Sequence, residues 1–499
     1  MRDFWQKTKR WFSDNKLPVI VLLVTLVFLV ANSYALRKEF YYLSLVPLAG
    51  LFILLFVRKL EFGLLAIALF TPFAINYDIV KGSQLSMPTE PLMLLFMLIF
   101  LFRVLLKRSY DRKIMSHPVT LAVLFSLLWM LVTSATSELP AVSFKYLLAR
   151  LWFVIPCFFA AAQIFKNPKR ITQFYWCYAI SLLIIIFMTT LKTFSNFSDL
   201  QTMHRVMKPF YNDPTAYGVT IAMFVPPAFH YIFENKQLWS WKRLFAIAAF
   251  VLLMTGLVLS YSRAAWISVL GAVAVYFAIR FGMKVRWMLL CGALAIGLFF
   301  AYQADVMYKL GKNSQDSSYD IADQIKSISN ISTDASNLER LNRWASALRM
   351  FDERPVTGWG PGTYQFVYAG YQRSYQLSTL STTAGDLGNA HSEYIGPLSE
   401  QGVLGTVAVV LVFGITFATG VRVYRTLKER DSRMANVALS FTLGLLTYYI
   451  HGVFNNFLDT DKLSVPFWGF TAVLVAMDVY MCRSGEEKDA EGEKEKWNR

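Results

Sequence analysis

Apolar runs of about 18–22 residues recur along nearly the whole chain, each long enough to cross a ~30 Å hydrocarbon layer as a helix. Basic clusters punctuate them at Lys7/Lys9/Arg10/Lys16, Arg58/Lys59, Lys107/Arg108/Arg112/Lys113 and Lys166/Lys169/Arg170. They recur at Lys236/Lys242/Arg243, Arg280/Lys284/Arg286, Arg422/Arg425/Lys428/Arg430/Arg433 and in the tail from Arg483. Between successive clusters the apolar stretch has room for a helical hairpin of two spans. The pattern therefore predicts an all-α polytopic transmembrane bundle of about 14 spans, or about twelve if an early or weak hairpin is re-entrant. Basic loops concentrate on the cytoplasmic side, which puts both termini there and the alternate connections outside.

One outer connection breaks the rhythm. From about Gln303 to His391 the chain turns polar, rich in Ser, Asp, Asn and Tyr, and a smaller polar outer segment runs from about Ser195 to Asp213. The expected organisation is N-terminal membrane helices over 1–302, a large partly helical outer loop over 303–391, C-terminal membrane helices over 392–484 and a charged, disordered tail over 485–499. Within the loop, Ser336-Asn337-Leu338-Glu339 fits a capping box. Leu338, Leu341, Trp344, Leu348 and Phe351 then repeat at helical spacing up to Arg354-Pro355, and Gly358-Trp359-Gly360-Pro361-Gly362 reads as a tight turn.

Composition narrows the class. Of 499 residues 55% are hydrophobic and 16% charged, where a soluble domain carries roughly a quarter charged. The net charge of +16 lies in the short loops, so it reads as a topology signal and excludes nucleic acid as the expected partner. The run following the basic segment Met1–Lys16 lacks a small-residue cleavage site and is expected to be a retained first span. Cys157, Cys177, Cys291 and Cys482 fall within or at the end of apolar spans without CxxC spacing, and none of the five His residues forms a ligand pair. They are read as small buried hydrophobes, with no metal site expected.

Polar groups at the outer ends of several spans converge on one face. Arg263, in Ser260-Tyr261-Ser262-Arg263-Ala264-Ala265-Trp266, sits where the positive-inside rule disfavours it, and either snorkels to the interface or binds an anion. Lys145, Arg150, Arg205 and Lys208 lie on the same side, with Arg340 and Arg343 on the loop helix. Guanidinium groups bind phosphate oxygens bidentately and stay charged at any working pH, so a phosphate or diphosphate suits such a cluster. For Arg343 and Arg349 a solvated helix face is the expectation. His391, in Asn389-Ala390-His391-Ser392-Glu393-Tyr394, marks the return into the membrane and serves either as a general base or as a helix cap. Nearby arginines would hold its ring neutral. Glu400 lies about half a turn out of phase with His391, with Pro397 between them, so a supporting structural role is expected. Asn212 and Asp213 either cap the following helix or bond a sugar hydroxyl. His451, Asn455, Asn456, Asp459 and Asp461 form a further polar outer loop without an assigned role.

Arg340-Leu341-Asn342-Arg343-Trp344, Pro355-Val356-Thr357-Gly358-Trp359-Gly360-Pro361-Gly362 and His391-Ser392 with Glu400, Gly402 and Gly405 together resemble the O-antigen ligase and polymerase superfamily. Ser262-Arg263-Ala264-Ala265-Trp266 matches its S-R-x-x-W element. Asn212-Asp213-Pro214 looks like its loop-to-helix motif, although Thr215 stands where an asparagine is often found. The resemblance implies a multi-pass bacterial inner-membrane glycosyltransferase whose active face is periplasmic. Its donor would be a glycan on undecaprenyl diphosphate, and its acceptor lipid A-core for a ligase or another lipid-linked repeat for a polymerase. By carry-over His391 would deprotonate the acceptor hydroxyl while Arg263 and Arg340 hold the leaving diphosphate, with Lys145, Arg150, Arg205, Asn212 and Asp213 binding substrate. Neither nucleotide nor metal cofactor is implied; the partners are the lipid-linked glycan, its acceptor and membrane lipids. Residues do not separate ligase from polymerase, and ligase is preferred on family prevalence. A polytopic transporter is the reading from another class, disfavoured because the polar residues gather on one face rather than at mid-membrane.

Overall fold

The computed structural model describes residues 16–80, 83–107, 110–195, 206–234, 237, 239–310, 335–378, 381–382 and 388–483. The predicted tail over 485–499, the basic residues before Lys16 and Arg205 lie outside the described residues. Among the described residues the chain is all-α but for one small hairpin. It divides into two units, Met1–Gly63 and Leu64–Arg499. The first carries α1 (Lys16–Arg37) and α2 (Val46–Arg58), joined by a 3₁₀ turn at Tyr41–Leu45. Ser44 Oγ donates to Asn32 Oδ1 at 2.9 Å within this unit.

In the second unit, α3 (Leu60–Phe70, begun in the first) leads to an antiparallel hairpin, β1 (Ile75–Val80) with β2 (Ser83–Met87). Then follow α4 (Thr89–Lys107), α5 (Pro118–Ala135), α6 (Pro140–Val154), α7 (Pro168–Ser195) and α8 (Pro214–Glu234). They are succeeded by α9 (Trp241–Leu259), α10 (Arg263–Arg280), α11 (Val285–Leu310), α12 (Ala335–Glu353), α13 (Ile395–Arg430), α14 (Ser432–His451) and α15 (Asp461–Met477). α6 continues to Ile164 through a π-turn at Ile155–Ala160, where Pro156 lacks the amide that an α-helical bond needs.

Ten of the described helices are long and apolar enough to cross a membrane. The sequence pattern predicts about 12–14 spans; among the described residues α2, α3 and α14 stand outside the ten for physical reasons. α2 and α3 are only 13 and 11 residues long, and at 1.5 Å per residue fall short of ~30 Å. α14 is less apolar because it is surrounded: it packs against α8, α10, α13 and α15. Its Ser440, Thr442 and Thr447 hydroxyls, buried there, donate back to carbonyls of the same helix. A helix lined by other helices needs no lipid-facing stripe.

Two polar clusters fasten the unit at its opposite ends. Lys462, at the start of α15, donates to the carbonyls of Thr71, Pro72 and Ala74, while Asp461 accepts from Ser86 Oγ at 2.8 Å. At the far end of α15, the buried Asp478 carboxylate accepts from Arg422 at 2.8 Å and Arg483 at 2.9 Å, and lies 3.1 Å from His117 Nε2. A buried carboxylate is tolerated there because several donors compensate its lost hydration.

Candidate functional site

The site is organised around a break in α13. At Gly402 the backbone takes φ 70°, ψ −168°, a region essentially restricted to glycine. The break leaves the carbonyls before it without helical partners, and buried carbonyls must find others. The glycine-rich turn supplies them: the Trp359 amide donates to Ser399 O at 3.1 Å, the Gly360 amide to Glu400 O at 2.7 Å, and Trp129 Nε1 to Gln401 O at 2.8 Å. In return the Val403 amide donates to Pro355 O at 3.0 Å. The Glu400 carboxylate accepts from the Tyr364 amide at 3.0 Å, holding the turn from its far side. Glu400 therefore supports the loop and does not touch His391.

α12 lies on this platform. Leu341, Trp344, Ala347 and Met350 are buried with Trp359, Tyr364, Tyr368, Ala390 and Ile395. The apolar stripe thus passes through Ala347 and Met350, while Leu348 and Phe351, expected on it, are only partly buried. Glu339, read as part of a capping box, is used otherwise: it accepts from Arg343 Nε at 2.7 Å and from Ser378 Oγ at 2.8 Å.

Arg343 corrects the sequence reading. It was expected on a solvated face and is 6% exposed. Its Nη1 donates to Asn389 O at 3.0 Å, and its guanidinium sits 5.2 Å from the Tyr368 ring centre. Arg349 likewise is bonded to Tyr371 O at 2.7 Å and Gln376 Oε1 at 2.8 Å. Periodicity sees one apolar face; here residues 368–378 cover the other, so Arg343 is enclosed by chain and Arg349 partly so.

Arg343 anchors the approach to His391. The His391 backbone has φ 47°, its amide donates to Asn389 Oδ1 at 3.1 Å and its carbonyl accepts from Trp344 Nε1 at 3.4 Å. Ser392 Oγ accepts the amides of Tyr394 and Ile395 at 3.2 and 3.3 Å. Ser392 therefore caps α13, which leaves the His391 ring free of that task. Glu393 fixes the next step: its carboxylate accepts from Tyr448 OH at 2.5 Å and from the Phe457 and Leu458 amides at 3.0 Å each.

This stitching brings the 452–458 loop under His391. Asn455 Nδ2 lies 3.2 Å from His451 Nε2, and the same side chain hydrogen-bonds the His391 ring. Arg340 Nε donates to Phe454 O at 3.2 Å. Burial, then the charges of Arg340 and Arg343, push the His391 pKa down to about 3, because both effects disfavour the protonated ring. His391 is neutral at any working pH.

The other candidates fall in different places. Arg263 opens α10, and the backbone of the next residue, Ala264, lies against the His451 ring. The start of α10 thus borders the cluster at His451, whereas the charge of Arg340 acts on His391 itself. Lys145 is exposed and faces Glu90. Arg150 donates to Leu458 O at 2.8 Å and to Tyr146 OH at 2.9 Å, on the other side of the 452–458 loop. Asp213 caps α8 by accepting the Thr215 amide at 2.7 Å, and Asn212 is exposed. Sequence reasoning missed Glu393 and left His451 and Asn455 unassigned. Their one signal is spacing: a histidine closing a span and an asparagine four residues on share a helical face.

Residues 248–410 match the family model described as O-antigen ligase. The match contains Arg263, Arg340, Arg343, His391, Glu400 and the glycine-rich turn, and stops short of the α6 and 451–458 residues. No curated protein matches the chain.

Proposed function

We propose that this chain, an O-antigen ligase- or polymerase-like membrane protein by its matched region, transfers a glycan from undecaprenyl diphosphate to an acceptor hydroxyl at the periplasmic face, most simply as a ligase onto lipid A-core. The observation that carries this reading is one half-buried, neutral imidazole at a turn between α12 and α13, with Arg340 acting on it and Asn455 bonded to it. In the proposed step His391 takes the proton of the acceptor O–H as that oxygen bonds the anomeric carbon. The anomeric C–O bond to the diphosphate breaks and its electron pair leaves with the phosphate oxygen. Arg340, with Arg263, balances the charge that develops there. A diphosphate is already an activated leaving group, so positioning and charge stabilisation suffice.

The low His391 pKa serves this order of events. In the free protein the ring is neutral but a weak base. A doubly charged diphosphate at Arg340 cancels the positive field and raises its basicity, so proton abstraction follows donor binding. With reconstituted protein and a lipid-diphosphate glycan, the acid limb of kcat/KM, which reports the free protein, is expected near or below pH 4, and that of kcat at least one pH unit higher. Coincident limbs near the ordinary histidine value of about 6.5 would contradict a substrate-raised base.

Arg340→Lys keeps a charge but loses the forked geometry. It is expected to lower kcat/KM for the donor roughly 10–100-fold; parental activity would remove Arg340 from diphosphate binding. Ligase and polymerase separate in a strain lacking the protein. A ligase leaves long polymer on its carrier, whereas loss of a polymerase leaves single repeats attached to core.

A further inference from the structure

A concavity lies behind His391, inside the bundle between α5, α6, α13 and α15. Ser392 and Glu393, the two residues after His391, line it together with Tyr146, Arg150, Glu400, Asn456 and Trp468. Its deeper wall is apolar, with Leu127, Val412 and Phe413.

Two features set its chemistry. The first is charge. Arg150 is the guanidinium lining it, and the carboxylates of Glu393, Glu400 and Asp459 all act on the Arg150–Tyr146 pair. Arg150 is further committed to Leu458 O and Tyr146 OH. A diphosphate would meet more negative than positive charge there. The second is unused hydrogen-bonding capacity. Trp468 is 6% exposed and its indole N–H lacks a partner among the described residues; so does Asn456 Oδ1. One is a donor and the other an acceptor, and buried polar groups left unpaired are costly unless something fills them. A sugar ring carries hydroxyls that can do either, one donating to Asn456 Oδ1 and another accepting from Trp468 Nε1, while an indole offers an apolar face to a pyranose ring.

We infer that this cavity is a subsite for a neutral, hydroxyl-bearing sugar ring, the part of the acceptor next to its reacting hydroxyl, and that the donor diphosphate is held apart from it on the Arg340 side. The assignment to the acceptor rests on the transferase reading above; the preference for a neutral sugar over an anion does not. His391 then stands at the junction, with the turn His391–Glu393 contributing to both sides. Arg150, grouped by sequence with the anion-binding arginines, becomes a positioning residue that holds Tyr146 and the 458 carbonyl at the cavity wall.

The test uses full-length protein in lipid nanodiscs and two probes, a panel of methyl glycosides of common hexoses and hexosamines, and inorganic pyrophosphate. Saturation-transfer NMR reads the glycosides and calorimetry the pyrophosphate. At least one glycoside is expected to bind, and Trp468→Phe, which keeps the ring and removes only the N–H, to weaken it roughly five- to tenfold. Asn456→Leu, of similar volume, should do the same. Pyrophosphate binding should be unchanged in both and weakened in Arg340→Gln. No glycoside binding by the parent protein, glycoside binding indifferent to both substitutions, or pyrophosphate weakened by Trp468→Phe would each overturn the subsite. His391→Ala separates the two proposals: glycoside binding that persists while transfer also persists would sink the catalytic reading and leave the sugar site standing.

Discussion

Replacing His391 by alanine is expected to lower glycan transfer by about 10²–10⁴-fold, the range a positioned general base contributes, while the protein still folds. The backbone at this turn is held by Asn389 Oδ1, by Trp344 Nε1 and by the amide of Glu393 on Gly452 O at 2.8 Å, none of which uses the imidazole. The left-handed backbone at φ 47° is unfavourable for alanine, and His391→Asn is the companion variant because asparagine tolerates that region. Both should retain the donor affinity of the parent and lose kcat. Transfer at the parental rate by either variant would exclude His391 as the base. Asn455→Leu belongs to the same series: its expected effect is a shift of the kcat acid limb with a smaller fall in rate, since it removes a bond to the ring and not the ring itself.

Gly402→Ala is expected to be the most damaging substitution outside the imidazole. Glycine is required twice over at this position. Its φ of 70° with ψ −168° is open to few other residues, and a Cβ built there would run into the carbonyls of Val356 and Pro355. Strain of about 1–3 kcal/mol from the backbone alone, with overpacking added, should detach the glycine-rich turn from α13. The checks are limited proteolysis near residue 357, which should speed up, and transfer activity, which should fall with it. Gly414→Ala, in the regular helix beyond the break where a Cβ meets nothing within 4 Å, should be far milder. An unchanged proteolysis pattern in Gly402→Ala would mean that the turn is held by α12 and not by the break in α13.

These two residues differ in how they could be read beforehand. His391 is conspicuous in sequence as a histidine where a polar loop re-enters an apolar run. Gly402 is visible only as the glycine of a motif, because the helix on either side of it has ordinary composition. Arg340 and Arg343 are three residues apart on one helix and look alike, yet one bonds the Phe454 carbonyl and acts on His391 while the other is sealed between Glu339, Asn389 and Tyr368. Helical spacing could not separate them, since the covering residues 368–378 carry no periodic pattern. The β hairpin at Ile75–Met87 was likewise unannounced: a short connection in an otherwise helical pattern carries too few alternations to be told from a polar loop.

What the sequence determined by itself is the material. Long apolar runs dictate helices because the bilayer leaves backbone groups no other partner. Basic loops alternate with polar ones, and the unusual residues fall together on one side of that alternation. Those are local and one-dimensional quantities, which a chain states in the order it is read. The tertiary structure decided which of those residues meet. Glu393 is 64 and 65 positions from the Phe457 and Leu458 amides it accepts, Asn455 bonds the His391 ring across a similar separation, and their roles depend on α13 and α14 packing side by side so that the 452–458 loop passes beneath His391. It also decided that Arg340 and Arg150 lie among different neighbours, the one on the Phe454 carbonyl and the other on Tyr146 and the Leu458 carbonyl, because Coulomb energy depends on distance in space, which spacing along a chain does not fix.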